Sequence, residues 1–109
     1  MASMLATLGS NVDLTALASQ TAVAMTDTPT NAYRKALVRL NVNGVTGTPT
    51  VLIEGSENGG TSYVTLATFL PTATLPNLEQ EVKLYPLTRM RVSVVATAGR
   101  GNCYVEGVQ

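Results

Sequence analysis

The sequence predicts an all-β protein, an antiparallel β-sandwich or jelly-roll-like barrel with an extended N-terminal arm. Several short stretches alternate apolar and polar residues, which is the period of a half-buried strand. Turn residues separate these stretches at intervals of roughly 8–12 residues, as in sandwiches and barrels. Threonine, a residue common in strands, occurs 16 times among the 109 residues, and no stretch shows a long helical period.

Composition and charge exclude several classes of protein. Seven basic and seven acidic residues give a formal net charge of zero, so the chain lacks the basic excess that drives binding to nucleic acid. Hydrophobic residues make up 45% of the chain, which argues against disorder. No segment is long and apolar enough to span a membrane. A neutral chain has little charge repulsion between copies, which favours association.

The distribution of charge divides the chain into two regions. Residues 1–33 contain no Lys or Arg, and their only charges are Asp13 and Asp27. We interpret this region as an arm or extension that includes at most one edge strand and a short helical turn at Asp13–Gln20. Residues 34–109 form the predicted sandwich domain. Deletion of residues 1–20 is therefore expected to leave the sandwich folded.

The first predicted strands follow from alternation. Ser19–Thr26 alternates weakly and is an upstream candidate, whereas Lys35–Asn43 alternates clearly. The predicted core face of the latter is Ala36, Val38, Leu40 and Val42. Thr50–Gly55 is the next strand, and Glu57–Gly60 is a tight-turn signal because Asn and Gly accept a positive φ.

The second half of the chain continues the pattern. Predicted strands at Thr61–Leu70 and Glu79–Tyr85 are separated by a proline-flanked loop. Arg89–Thr97 is the clearest strand, and Ala98–Asn102 is the predicted turn before a closing strand at Cys103–Val108. The residues of Arg89–Thr97 that alternation directs towards the core are Met90, Val92, Val94 and Ala96.

The residues needed for catalysis are sparse. The chain has no histidine, so it lacks an imidazole base, a histidine-activated nucleophile and a histidine metal ligand. Its single cysteine, Cys103, is predicted to be a small buried core residue. Glu79 and Glu81 share one strand face without other catalytic groups beside them. We therefore expect no enzyme, no catalytic residues, no cofactor and no metal.

Two arginines on one predicted strand face are candidates for contact with a partner. Arg89 and Arg91 are spaced to meet phosphates or carboxylates. The simpler interpretation pairs them across strands with Glu79, Glu81 or Glu106. Glu54 and Glu57 flank a turn and are interpreted as surface residues, since the loop lacks the aspartates of a calcium site.

The order of strands and turns resembles a family of phage proteins. The runs that carry the resemblance are Leu40–Thr50 (LNVNGVTGTPT), Val51–Gly59 (VLIEGSENG), Tyr63–Phe69 (YVTLATF), Arg89–Gly99 (RMRVSVVATAG) and Cys103–Val108. Over residues 34–109 the chain is similar to capsid decoration (cement) proteins of tailed bacteriophages and to related head or tail accessory β-sandwiches. The resemblance implies a structural virion protein that binds the outside of the capsid and bridges capsomers.

The same resemblance implies the partners and the location. The partners are the major capsid protein and further copies of the chain, as a dimer or trimer, with no nucleic acid, membrane or small-molecule substrate. The protein is expected on the capsid surface of the virion, after synthesis in the host cytoplasm. The candidate partner-binding residues are Met4, Leu5, Leu8, Arg89, Arg91 and Arg100.

Two other interpretations remain open. A tail, neck or fibre-adaptor protein of the virion fits the same pattern. A carbohydrate-binding β-sandwich module is an alternative of another class, because tyrosines on a sandwich stack on sugar rings. Such a module needs its aromatic residues in one exposed row, and the tyrosines lie on separate predicted strands at Tyr33, Tyr63, Tyr85 and Tyr104.

Overall fold

The chain folds into antiparallel β-strands, as the sequence predicts. The structure is a computed structural model that describes residues 5–25 and 35–108. These residues form nine strands and no helix, which confirms the all-β class. The strands are β1 (Leu5–Asp13), β2 (Ala18–Ser19), β3 (Val23–Ala24), β4 (Lys35–Thr46), β5 (Thr50–Ser56), β6 (Val64–Phe69), β7 (Asn77–Lys83), β8 (Leu87–Val94) and β9 (Ala98–Val108).

The strands are arranged in two sheets that pack as a sandwich. The four-stranded sheet has the order β1-β9-β4-β7. The five-stranded sheet has the order β2-β8-β5-β6, and β3 also pairs with β8. Every pairing is antiparallel. Each sheet therefore has one face in the core and one face towards solvent.

The core lies between the inner faces of the two sheets. The predicted alternation of β4 is confirmed, because Ala36, Val38, Leu40 and Val42 are all buried. The five-stranded sheet contributes fully buried side chains from β5 and β8, and β9 contributes further ones opposite them. These side chains are Val51, Ile53, Met90, Val92, Cys103 and Val105. Burial of such residues from water is the main source of stability in a domain of this size.

The N-terminal residues within the described range belong to the sandwich. Strand β1, which the sequence does not predict, pairs with β9 at the edge of the four-stranded sheet. In the other sheet β2 and β3, which overlap the predicted strand Ser19–Thr26, pair with β8. Leu8, Val12 and Leu14 are buried in the core. Residues 5–25 are thus integral to both sheets and are not an extended arm, while residues 1–4 and 26–33 lie outside the described residues. Deletion of residues 1–20 would remove core side chains, so the expectation of an intact sandwich does not hold.

The predicted helical turn at Asp13–Gln20 is replaced by a tight turn and β2. The Asp13 carboxylate accepts hydrogen bonds from the Thr15 backbone N–H at 2.9 Å and from the Thr15 hydroxyl at 2.7 Å. These hydrogen bonds lower the pKa of Asp13. The aspartate does act on the backbone that follows it, but it closes a turn and does not begin a helix.

Register shifts explain the differences between the predicted and observed strand faces. The pairing of β5 with β8 shifts between Thr50 and Val51, which turns Val94 outwards although alternation predicts it inside. Ala98–Asn102, predicted as a turn, is the first half of β9 and pairs with β4. A further shift in the β5–β6 pairing lies between Thr65 and Ala67, and beyond it simple alternation buries Ala67 and Phe69 and leaves Leu70 exposed.

Glycine is required at position 99, near the start of β9, where the chain packs against Val45 of β4. Gly99 has a φ of 127°, and a Cβ built there would lie 2.6 Å from Cγ2 of Val45 and 2.8 Å from its Cα. A side chain at this position would therefore meet both backbone strain and a steric clash. The early residues of β9 can pair with β4 because this glycine has no side chain.

Substitution of a buried valine by aspartate should strongly destabilise the fold. Val92 is 2% exposed, so Val92→Asp places an unpaired charge in the core and should cost more than about 3 kcal/mol. Val95→Asp is the matched control, because Val95 is 41% exposed and its substitution should cost about 0.5 kcal/mol or less. Urea unfolding of both variants measures the difference. Similar midpoints would contradict the assignment of the core face.

The buried thiol should be inert in the folded protein. Desolvation by burial raises the pKa of Cys103 to about 12 from its ordinary value of 9.0, so the reactive thiolate is scarce near neutral pH. Alkylation by iodoacetamide at a pH of about 7.5 should therefore be fast only after unfolding in urea. Mass spectrometry measures the extent of labelling. Between pH 9 and 12 the thiol loses its proton in the unfolded protein but keeps it in the folded protein. The free energy of unfolding should therefore fall as the pH rises through this range. Cys103→Ala should lack that loss, and rapid labelling of the native protein would contradict the burial.

Candidate partner-binding surface

The outer face of the five-stranded sheet brings together three charged side chains. Arg89 lies opposite Glu54 in the pairing of β8 with β5, and Arg91 lies opposite Leu52. Residues two apart on a strand share a face, so both arginines and Glu54 point away from the core. The predicted shared face of Arg89 and Arg91 is therefore confirmed.

The carboxylate of Glu54 holds both arginines. Arg89 Nε lies 2.9 Å from Glu54 Oε1, and Arg91 Nε lies 3.1 Å from Glu54 Oε2. The Glu54 side chain is 8% exposed, whereas those of Arg89 and Arg91 are 25% and 38% exposed. Each carboxylate oxygen therefore holds one guanidinium in place, and the two longer arginine side chains cover the carboxylate.

A tyrosine orients the first arginine further. The Arg89 guanidinium carbon lies 3.6 Å from the centre of the Tyr63 ring, in cation–π contact. Tyr63 follows the predicted turn, where Gly59 and Gly60 have the expected positive φ. Ser56 supports this turn, because its hydroxyl donates to Asn58 Oδ1 and accepts from the Gly60 N–H. The turn therefore places the ring that stacks on Arg89.

The cluster retains hydrogen-bond donors for a further anion. Both ion pairs to Glu54 use Nε, and among the described residues no other carboxylate lies within ion-pair distance of Arg89 or Arg91. The terminal amino groups of a guanidinium are the donors that bind carboxylate or phosphate in a bidentate manner. Two cations with one anion leave a local charge of +1, held on side chains that are already oriented.

Exposed apolar side chains lie at one end of the same face. Leu17, Leu70 and Val94 are 69%, 61% and 49% exposed. Leu17 and Arg91 line one shallow depression. Thr50 of β5 pairs with Val94 of β8. On the other side of β5, the next residue after Thr50 pairs with the residue before Leu70. Thr50 therefore lies between Val94 and Leu70. We call the surface formed by Arg89, Arg91, Leu17, Leu70 and Val94 the arginine face.

Three ion pairs join charges within the four-stranded sheet. Lys35 lies 3.3 Å from Glu81, and Arg39 lies 3.4 Å from Glu79 and 3.9 Å from Glu106. These side chains are well exposed, so each pair contributes little to stability. The predicted pairing of Arg89 and Arg91 with these glutamates is therefore wrong, because the glutamates lie on the other sheet.

The structure does not group the other candidate residues with Arg89 and Arg91. Leu8 is a core residue, so its burial requires no partner. Arg100 lies on β9 of the other sheet, and its Nη1 donates to the carbonyl oxygen of Asn11 at 2.9 Å. Met4 lies outside the described residues, and Leu5 is described only as the first backbone residue of β1.

The tyrosines in the described part of the chain do not form a row. Tyr63 stacks on Arg89, and Tyr85 packs where a Cβ at Gly55 would lie. Tyr104 is on the opposite sheet, in a shallow depression lined also by Arg39 and Glu79. Tyr33 lies outside the described residues. The described tyrosines therefore lack the arrangement that a sugar-stacking surface needs.

Sequence reasoning missed Glu54 and Tyr63 as parts of this site. The sequence predicts Glu54 at the surface, whereas in the structure it is the buried anchor of the arginines. A signal for this was present, since Glu54 directly follows three apolar residues in the run Val51–Glu54. A carboxylate on a largely apolar strand needs a charged partner nearby.

Comparisons with known protein families, with curated proteins and with solved structures found no match to this chain.

Within residues 5–25 and 35–108, no three histidine, cysteine or acidic side chains are grouped as metal ligands. No helix in the same residues is long and apolar enough to cross a membrane.

Loss of the Glu54 charge should destabilise the protein more than loss of an exposed charge. Glu54→Gln leaves two oriented guanidinium groups without their anion and should cost about 1–3 kcal/mol. Glu81→Gln is the matched control and should cost about 0.5 kcal/mol or less, because its pair with Lys35 is exposed. Urea unfolding measures both values, and equal costs would contradict the role of Glu54 as an anchor.

Proposed function

We propose that this protein is a structural component of a phage virion that binds the outside of the capsid and bridges neighbouring capsomers. It acts there as a cement or decoration protein, and its partner is the major capsid protein. The proposal joins two independent lines of support, the sequence resemblance over residues 34–109 and the chemistry of the arginine face.

The fold is compatible with this function but does not specify it. A two-sheet antiparallel sandwich is the architecture that the resemblance implies. Sandwiches carry many unrelated functions, so the argument depends on the surface. The described surface offers hydrogen-bond donors and apolar contact area on one face, which suits a protein partner.

The arginine face is the observation that carries the proposal. Arginine and apolar side chains are enriched at protein interfaces, and neighbouring exposed apolar residues mark such sites. Here Arg91 is fixed by Glu54 and lies beside the exposed Leu17. The side chain loses little further freedom on binding, which lowers the entropic cost of association. The complementary surface is an acidic side chain with apolar neighbours on the outer capsid.

Capsid geometry makes a modest contact effective. A shell presents many equivalent sites, so bound copies that also bridge capsomers gain from multivalency. A protein that binds only the assembled shell stabilises it by mass action. The function therefore requires specific docking and not high affinity at a single site.

Binding to capsids that lack this protein is the direct test. Purified protein is mixed with such particles, and the amount that pellets with them is measured against concentration. Saturation at a fixed ratio to the capsomers is the expected result. No saturable pelleting would reject the capsid role, and the same assay with isolated tails and necks would then test the alternative virion location.

A single substitution on the arginine face should weaken this binding. Arg91→Gln removes the more exposed guanidinium and should reduce capsid affinity about tenfold or more, as expected for an arginine at the centre of an interface. Arg39→Gln is the matched control on the outer face of the other sheet and should leave binding unchanged. Equal binding by wild type and Arg91→Gln, with both proteins folded, would exclude the arginine face as the docking site.

A further inference from the structure

The exposed edges of the two sheets differ in how they resist pairing with another chain. An edge strand offers unpaired backbone groups, and charge, bulges or short length protect it. Strand β7 carries Glu79, Glu81 and Lys83 along the edge of the four-stranded sheet. Pairing with a second chain would take these charges out of water, which is costly, so this edge is protected.

Two further edges are protected by their shape. Strand β1 shifts its register with β9 twice, around Gly9 and Val12, and Asn11 between them has a φ of 51°. These irregularities interrupt the ladder that a further strand would need. On the other sheet, β2 and β3 are two residues long each, which is too short to template a strand.

Strand β6 lacks both the charges of β7 and the short length of β2 and β3. It spans six residues, Val64–Phe69, without charge or proline, and the sequence from Asn58 to Leu78 contains no charged residue. Its one register shift against β5 lies between Thr65 and Ala67, and Ala67–Phe69 pair regularly beyond it. It pairs with β5 on one side, and no backbone group of β6 has another hydrogen-bond partner among the residues that the structure describes.

We propose that two copies of this chain pair through the free edges of their β6 strands, antiparallel and across a two-fold axis. The edge is complementary to itself, because a two-fold axis brings the N–H groups of each strand to the carbonyl groups of the other. The two neutral edges meet without opposing like charges, and the net charge of zero adds no long-range repulsion. The exposed Val64 beside the edge gains apolar contact in the pair.

The pairing also orients the arginine faces. Antiparallel joining of two identical edges within one sheet requires an axis perpendicular to that sheet. Both copies then present the same face on the same side, so their Arg91 side chains point in one direction. This dimer does not depend on capsid binding, and it would give a capsid-bound protein two docking surfaces.

Paired charge variants test the edge. Thr65 and Thr68 are exposed on the outer face of β6, beside Glu54 and Leu52 of β5. One variant carries Thr65→Lys and Thr68→Lys, and a second carries Thr65→Glu and Thr68→Glu. Light scattering against concentration measures the mass of each variant, of the wild type and of an equal mixture of the two variants. Thermal unfolding shows whether each variant remains folded.

The wild type is expected to have the mass of a dimer, each variant that of a monomer, and the mixture that of a dimer again. Restoration by mixing requires opposite charges to meet across the interface, which a folding defect would not produce. A control with Thr7→Lys and Gln80→Lys, on the edges of the four-stranded sheet, should remain dimeric. A monomeric wild type, dimeric lysine and glutamate variants, or an unrestored mixture would overturn the proposal. Capsid pelleting of these variants is scored separately, since docking through Arg91 does not need the dimer.

Discussion

The antiparallel pairing of β4 with β9 runs from Lys35 opposite Val108 to Thr46 opposite Ala98 and forms the centre of the four-stranded sheet. It places Val38 beside Val105 and Leu40 beside Cys103, and all four side chains are buried. A slip of one residue would turn these side chains outwards and bring polar neighbours into the core. Strands β1 and β7 attach to this pair, and the sheet that bears the arginine face packs against it.

The local pattern of residues is sufficient to predict strands whose register is regular. Alternation in Lys35–Asn43 identifies the core face of β4, because each residue there follows the simple period. Alternation misplaces Val94, where a register shift reverses the face. The predicted β9 begins too late, because Gly99 and Gly101 read as turn residues. Such shifts depend on how two strands fit together and have no clear signature in either strand alone.

The candidate site shows the same division between local and distant information. Arg89 and Arg91 were found because their spacing of two residues puts them on one strand face. Their partner was not found, since Glu54 is 35 and 37 positions away and its role depends on the pairing of β5 with β8. The small residues of positions 5–25 likewise give weak alternation, although long-range pairing places three strands of this segment in the two sheets.

The position of β9 between β1 and β4 has a consequence for biosynthesis. Asn11 hydrogen-bonds to Asn102 across 91 positions of the chain. Because β9 lies between β1 and β4, the four-stranded sheet cannot form until the ribosome has released β9. Topologies dominated by such distant pairings fold slowly. Through most of translation the apolar face of β4 has no permanent cover, and this nascent chain is the form that chaperones would meet.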